Sequence, residues 1–339
     1  MSKKTGGAHN KSMHKAGRQS ERAARTGSTI SDAQRSPASG AAKGGIVVLL
    51  TETPAHAGTG IANGVIDLPI QREPHTAWPC FEAAGVKGAM RALAESKVAN
   101  GGADPAVTAV FGSDKNGDYA GSLAIGSASI LLLPVRSGTT HFKWVTCPAV
   151  LARHAQACAR VGVRYAASDW SPVVSGDEAL SVTASPAGAF LEEFHFSVSD
   201  VRSGVTLPSL IVSLAKFSGI PAPDLEKRLL IVHDDRFRWF AEHATPKAAH
   251  IKLTEAKAVD GGALWYEETL APDTLLALTL EGSQPQQPRP AAATGVPSSA
   301  CEVYAYAKAL FMPRPYLRVG GNETLAMGHC RVVVTDGGQ

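Results

Sequence analysis

The sequence predicts a mixed α+β fold in which helices pack on one side of a largely antiparallel sheet. Apolar runs typical of strands alternate irregularly with amphipathic stretches typical of helices, without the regular repeat of a doubly wound parallel sheet. The chain has 339 residues, 44% of them hydrophobic, and is therefore long enough to bury a sizeable core. No internal repeat is visible.

Periodicity and turn residues predict the individual elements in chain order. The apolar run at 46–50 predicts the first strand, and a glycine-punctuated stretch follows at 54–78. Alternating apolar residues within 168–204 predict a hairpin or ribbon. Helices are predicted at 86–98, 148–161, 208–217, 234–243 and 301–311. Further strands are predicted at 123–133, 229–232, near 251 and 264, at 275–280, and near 317 and 332.

The first 43 residues differ from the rest of the chain in charge and composition. They hold nine Lys and Arg residues against Glu21 and Asp32, a net charge of +7, so the remainder carries −4 of the overall +3. Large apolar residues are nearly absent, which predicts a disordered basic tail ahead of one folded domain at 44–339. A Pro- and Gln-rich loop is predicted at 283–299. The tail is a solubilising extension, the product of a mis-called start codon, or an electrostatic tether for RNA.

Cysteine usage and hydropathy limit the cellular setting. The five cysteines are far apart, form no CxxC pair and match no zinc-ligand spacing, so free thiols in a reducing cytoplasm are expected. No apolar run approaches the roughly 18 residues of a membrane span, and no apolar signal-peptide core follows the basic N-terminus. We expect a cytoplasmic protein without a membrane partner.

The glycine-punctuated stretch contains two residues suited to chemistry, His56 and Asp67. Its glycines permit close approach of the backbone to a ligand, but their spacing is neither the dinucleotide fingerprint nor a P-loop. Either side chain could bind a metal or transfer a proton. A capping aspartate and a hydrogen-bonded loop histidine are the alternative.

Two further stretches suit phosphate binding. Lys87 and Arg91 lie four residues apart near a predicted helix start, where free backbone N–H groups favour anions. Gly320 and Gly321, ahead of a polar turn, can form a concave N–H site for a phosphodiester. The alternatives are solvated side chains and an ordinary tight turn between strands.

Seven motifs, in this order, resemble the RAMP superfamily, and within it the backbone subunit of the type III-B CRISPR effector (Cmr) complex. They are His56-x-Gly-x-Gly, VIDLPIQRE at 65–73, VKGAMR at 86–91, LLPVRS at 132–137, FKWVTCP at 142–148, LWYEE at 264–268 and GGNET at 320–324. The sequence departs from the family pattern at Ala83, Ala84, Thr269 and Ala326, which affects the expected rate and affinity rather than the fold.

The resemblance implies a ferredoxin-like (RRM-like) palm with an inserted β-hairpin thumb, which we place at about 168–204. It implies that copies of the chain stack head to tail along a guide RNA and cleave a paired target RNA at regular intervals. The other implied partners are further Cmr subunits, including a large polymerase-like and a small helical one.

The resemblance also implies roles for individual residues. Asp67 occupies the cutting position and is the expected ligand of a divalent cation, Mg²⁺ or Mn²⁺, with the RNA 2′-hydroxyl as nucleophile. His56 and Glu267 occupy positions that influence cutting. The expected RNA contacts are Lys87, Arg91, Arg72, Arg136, Gly320 and Gly321. A scaffold that binds guide RNA without cutting, and an unrelated small-molecule enzyme, remain as alternative functions.

Overall fold

The structure, a computed structural model, describes residues 42–62, 64–98, 104–113, 119–166, 172–183, 185–200, 206–286 and 295–338. The predicted basic tail lies outside the described residues except for its last two. Parts of the predicted segments 168–204 and 283–299 lie outside them as well.

The described residues form fourteen strands and seven helices. The strands are β1 (Gly44–Thr51), β2 (Cys80–Phe81), β3 (Leu123–Ile125), β4 (Ala128–Arg136), β5 (Phe142–Thr146), β6 (Glu178–Ser181), β7 (Ser185–Leu191), β8 (Phe194–Asp200), β9 (Leu229–Val232), β10 (Lys247–Leu253), β11 (Val259–Glu268), β12 (Leu275–Gly282), β13 (Tyr316–Arg318) and β14 (His329–Asp336). The helices are α1 (Ala83–Ser96), α2 (Pro105–Phe111), α3 (Pro148–Arg160), α4 (Thr206–Ser218), α5 (Ala222–Arg228), α6 (Asp234–His243) and α7 (Ala300–Ala309).

One large sheet dominates the fold, with the strand order β13-β14-β1-β12-β4-β5-β9-β6-β8-β7. Its pairs are antiparallel except for β5 with β9 and β6 with β8. The short strands β2 and β3 pair off this path, with β4 and β12 respectively. The predicted α+β class and the largely antiparallel sheet are confirmed.

Helices cover both faces of this sheet. All eight residues of β1 are buried. Ile46 and Val48 point into one apolar cluster, with residues of α3 to α6, whereas Val47 and Leu49 point into a second, with residues of α1, α2 and α7. The expectation of helices on one side is therefore wrong. A continuous apolar run such as 46–50 is typical of a strand buried on both faces, which is what β1 is.

The predicted long helices are present as α1, α3, α4, α6 and α7, and two short helices were missed. One of them, α2, begins at Pro105 and is capped by Asp104, whose Oδ1 accepts the Ala106 N–H at 2.7 Å. Each missed helix has seven residues, too few for a clear 3.6-residue period. The strand predicted at 123–133 is split into β3 and β4, between which the Gly126 N–H is donated to the carbonyl of Thr279.

The strands within the predicted thumb segment belong to the large sheet, because β6 pairs with β9 and with β8. Among the described residues, the hairpin that stands apart from that sheet is β10–β11. One face of it carries the cross-strand pairs Ala249–Tyr266, Ile251–Leu264 and Leu253–Val259. The large side chains of these pairs are about half exposed. In the part of the chain that the structure describes, no helix is long and apolar enough to cross a membrane.

Candidate functional site

The loop that connects β1 to β2 brings the first motif against the end of β11. Ala55 pairs with Leu270, Gly58 with Ile70, and Leu68 with Glu267 through isolated β-bridges. Main-chain hydrogen bonds from Leu68 to Tyr266 and from Glu268 to Leu68, each 3.0 Å, hold the loop in place. Glu267, which lies far from His56 and Asp67 in the sequence, is thereby brought to the same region as these two residues.

Asp67 is exposed, and its carboxylate has a fixed position. Oδ2 accepts the backbone N–H of Tyr266 at 2.8 Å. The other oxygen, Oδ1, has no hydrogen-bond partner among the described residues. The side chain therefore presents an ordered, solvent-accessible carboxylate oxygen at the base of the β10–β11 hairpin.

Glu267 is 2% exposed, and its polar neighbours are one neutral amide and two histidine rings. Its Oε1 accepts from Asn322 Nδ2 at 2.5 Å and lies 3.6 Å from His56 Nδ1. Its Oε2 lies 3.1 Å from His250 Nε2. Both carboxylate oxygens are thus held, and the group cannot rotate toward solvent without losing these contacts.

His56 is 8% exposed and is oriented by a main-chain carbonyl. Its Nδ1 lies 2.7 Å from the carbonyl oxygen of Glu268. Because a carbonyl only accepts, Nδ1 carries the hydrogen, and in the neutral ring Nε2 bears the lone pair. A Cβ on Gly58 would lie 2.7 Å from Nε2, so only glycine leaves that nitrogen uncovered there.

Glu268 anchors the site rather than taking part in it. Its Oε1 accepts from Arg72 Nη2 at 2.6 Å and from Thr245 Oγ1 at 2.5 Å, and its Oε2 accepts the Ile70 N–H at 3.2 Å. Burial by itself raises the pKa of this carboxyl, but the hydrogen bond from Thr245 and the charge of Arg72 outweigh burial and lower the pKa below its usual value.

Arg72, predicted to contact guide RNA, is engaged inside the protein. Besides Glu268, its guanidinium donates to the carbonyls of Ala77 and Ala241, at 2.8 and 2.7 Å. It joins the loop, α6 and β11. An RNA contact by Arg72 stays a prediction. The hydrogen bonds seen in the structure link parts of this chain to one another.

The glycine pair at 320 and 321 packs directly on the His56 loop. The Gly321 N–H is donated to the His56 carbonyl at 2.8 Å. Gly320 has φ +96°, and a Cβ there would lie 2.3 Å from the same carbonyl oxygen. The two glycines thus permit this segment to pack closely on the His56 loop. The same packing brings the Asn322 side chain within hydrogen-bonding distance of Glu267. A phosphate contact by these two glycines stays a prediction. Of their two N–H groups, that of Gly321 is already bonded to the His56 carbonyl.

The remaining predicted RNA contacts lie outside this cluster, on α1 and β4. Lys87 is half-buried on α1, where Gly85 and Gly88 leave open space above the helix backbone. Arg91 donates to Glu95 at 2.8 Å and to the carbonyl of Gly112 at 3.2 Å. Arg136 is 79% exposed and pairs with Glu192 at 2.6 Å.

Among the described residues, no three His, Cys, Asp or Glu side chains are arranged to hold a metal ion. Asp67 offers a single carboxylate, whose free oxygen is of the type that Mg²⁺ prefers. A cation at this position would take its other ligands from water and from phosphate oxygens of a nucleic acid.

Three residues of the cluster were not predicted from the sequence: Asn322, His250 and Thr245. Asn322 belongs to the GGNET motif and was quoted there without a role. No local sequence pattern around His250 predicted its contact with Glu267. The contact depends on the register of β10 with β11, in which Ala248 pairs with Glu267.

The chain combines a mixed α+β fold with motif-bearing loops that meet at buried carboxylates and histidines, and the model of the RAMP superfamily matches its residues 48–324. The "CRISPR system Cmr endoribonuclease Cmr4" of Pyrococcus furiosus is 30% identical over 298 residues, which cover 86% of this chain and 95% of the relative. The chain belongs to the RAMP superfamily and, within it, to the Cmr4 family of type III-B backbone subunits. The resemblance stated from the motifs is confirmed.

Solved structures agree with this assignment. The crystal structure of oligomeric Cmr4 from Pyrococcus furiosus matches with a TM-score of 0.63 and 26% identity, over 86% of this chain and 98% of that one. A second Cmr4 crystal structure matches with a TM-score of 0.62 and 25% identity, over 86% and 99%. A chain of the type III-B Cmr-beta complex bound to cognate target RNA has a TM-score of 0.65 at 18% identity, over 87% and 98%, and shows the fold alone.

Proposed function

We propose that this chain is the guide-RNA-binding backbone subunit of a type III-B CRISPR (Cmr) ribonucleoprotein and that it cleaves target RNA at Asp67. The observation that carries the proposal is the geometry of Asp67, an exposed carboxylate held by the Tyr266 N–H beside a buried Glu267–His56 cluster. The 30% identity with a protein named an endoribonuclease supports the reaction class.

The reaction that suits this site is transesterification of RNA. The 2′-oxygen of the substrate attacks the adjacent phosphorus, the bond from phosphorus to the 5′-oxygen breaks, and the 2′-proton passes to a base. The products are a 2′,3′-cyclic phosphate and a 5′-hydroxyl, the latter completed by a proton from solvent. Because RNA supplies its own nucleophile, the protein needs only to align the strand and stabilise charge.

Asp67 would supply one oxygen ligand to a divalent cation, and such a cation would stabilise negative charge on the phosphate oxygens. The chain's own contribution is to hold that oxygen in place through Tyr266 and to keep His56 and Glu267 ordered behind it. Sequence specificity then comes from pairing between guide and target, while the protein contacts the RNA backbone.

The partners follow from the same proposal: guide RNA, target RNA, further copies of this chain and other Cmr subunits. We place the projecting thumb at the β10–β11 hairpin rather than at 168–204. That hairpin stands apart from the large sheet, carries an exposed apolar face, and begins and ends beside Asp67 and Glu267.

The decisive experiment compares Asp67→Ala and Asp67→Asn in the assembled complex with a complementary radiolabelled RNA. Asparagine keeps an acceptor for the Tyr266 N–H but removes the charge, so it separates positioning from chemistry. We expect both to lower the single-turnover cleavage rate at least about 100-fold while guide binding and assembly stay intact. Asp235→Ala, an exposed aspartate on α6, is the matched control and should cut normally.

Two substrate and cation tests accompany these variants. A target with 2′-deoxy sugars at the scissile positions should resist cleavage, and chelation of divalent cations should stop it. Normal cutting of the deoxy target would show that water is the nucleophile. Unchanged fragments from Asp67→Ala would show that Asp67 does not carry the cleavage. No cutting by the native complex would leave a non-cleaving scaffold as the function.

A further inference from the structure

The two adjacent buried glutamates differ in the positive charge available to them. Glu268 pairs with the permanent cation of Arg72 at 2.6 Å. Among the described residues, the only ion-pair partners of Glu267 are histidines, His56 and His250, and its third contact is the neutral amide of Asn322. A buried carboxylate is stable as an anion only when it is paired, and among the described neighbours of Glu267 the two histidines are the groups that can carry a positive charge.

The geometry points to His250 as the charged partner. Its Nε2 is within hydrogen-bonding distance of Glu267 Oε2, at 3.1 Å. By contrast, His56 Nδ1 is 3.6 Å from Glu267 Oε1, and its N–H is donated instead to the neutral carbonyl of Glu268, at 2.7 Å. The His250 ring also stacks on Trp265, with centroids 5.6 Å apart and planes inclined by 17°. Its side chain is 30% exposed, so solvent reaches the ring, and the stacking on Trp265 orients it.

We infer that His250 is a positioning residue that supplies the charge opposite Glu267 and so leaves His56 neutral, with its Nε2 lone pair free to accept the 2′-hydroxyl proton. This inference rests on the proposed function. Gly58 keeps the space at His56 Nε2 open, as a proton acceptor requires. Without His250, the anion of Glu267 would be balanced by protonation of His56, which would remove the acceptor.

Other charged groups near the cluster already have partners or lie in solvent. Asp67 is exposed and bound to the Tyr266 N–H, and Lys247 donates to Thr245 at 3.4 Å. The further charged groups on the surrounding elements are the Arg72–Glu268 pair, the Lys252–Asp260 pair of the hairpin and the Arg318–Glu323 pair beside Asn322.

The test uses His250→Phe, His250→Gln and His250→Lys in the guide-loaded complex. Phenylalanine keeps an aromatic ring for stacking, glutamine keeps a donor without charge, and lysine restores a permanent cation. Single-turnover cleavage is measured from about pH 5.5 to about pH 9, with target affinity measured in parallel.

For the Phe and Gln variants we expect cleavage to fall about tenfold on the acidic side and its half-maximal pH to rise by about one unit. Raising the pH should restore the rate, His250→Lys should resemble the native chain, and target affinity should not change. If His250→Phe fails to assemble, the Gln and Lys variants make the same comparison.

An active native complex whose pH profile is unchanged by Phe or Gln would overturn the inference and leave the proposed function standing. A loss that is equal at every pH and persists in His250→Lys would also overturn it, by showing a purely structural role. A native complex that does not cut would overturn the proposed function and this inference together.

Discussion

At the scale of single residues, the arrangement around His56 depends on two glycines, which have no Cβ atom. Gly58 leaves Nε2 uncovered, and Gly320 lets the chain before Asn322 approach the His56 carbonyl. The sequence suggested that these glycines approach a ligand. In the structure, Gly320 allows close approach to another part of the same chain.

Replacing Gly320 by Ala should lower the free energy of unfolding by about 3 kcal/mol. A positive φ costs a non-glycine residue about 1–2 kcal/mol, and the new Cβ would also lie 2.3 Å from the His56 carbonyl oxygen. Urea unfolding followed by circular dichroism measures the change.

Gly60→Ala is the matched control for this substitution. Gly60 also has a positive φ, +77°, but a Cβ there would meet nothing within 4 Å, so it reports backbone strain without the clash. Equal losses in the two variants would contradict the close-packing role of Gly320.

At the scale of elements, α1 is the helix on which the sequence predicts contacts with an RNA backbone. The absence of Cβ atoms at Gly85 and Gly88 leaves the helix surface open on either side of Lys87. The two basic residues of this helix are nevertheless unequal, because the Arg91 guanidinium already donates to Glu95 and to Gly112.

We expect replacement of both Lys87 and Arg91 by Ala to weaken guide binding regardless of guide sequence, with Lys87→Ala accounting for most of the loss. The salt dependence of binding should become shallower by about 0.7 in log–log slope per lost phosphate contact. Fluorescence anisotropy at several salt concentrations measures both. Lys216→Ala on α4 is the control, and weakening that depends on the base sequence would contradict a backbone contact.

At the scale of the whole molecule, charge is divided between the first 43 residues, at +7, and the remainder, at −4. Electrostatic attraction of RNA to the free subunit should therefore come mainly from the N-terminal segment. Such attraction is screened over roughly 8 Å at physiological ionic strength.

Deleting residues 1–40 should leave the thermal unfolding temperature unchanged and lower non-specific RNA affinity at low salt only. The deletion keeps Lys43, whose carbonyl accepts the Gly282 N–H at 2.7 Å beside the start of β1. Calorimetry and filter binding measure the two effects. A tail of equal length with Lys and Arg replaced by Gln is the control, and a lower unfolding temperature would show that the tail packs on the fold.

The sequence by itself determined the mixed class, the long helices, the family and the motif positions of His56, Asp67 and Glu267. These follow from local signals, since periodicity depends on neighbouring residues and each motif is a short contiguous run. The tertiary structure decided that helices cover both faces of the sheet, that Arg72 and Gly320 make contacts within the chain, and that His250 and Asn322 complete the carboxylate cluster. Such contacts join residues as far apart as Arg72 and Glu268, and Asn322 and Glu267. They depend on strand register and loop path, which local sequence patterns do not specify.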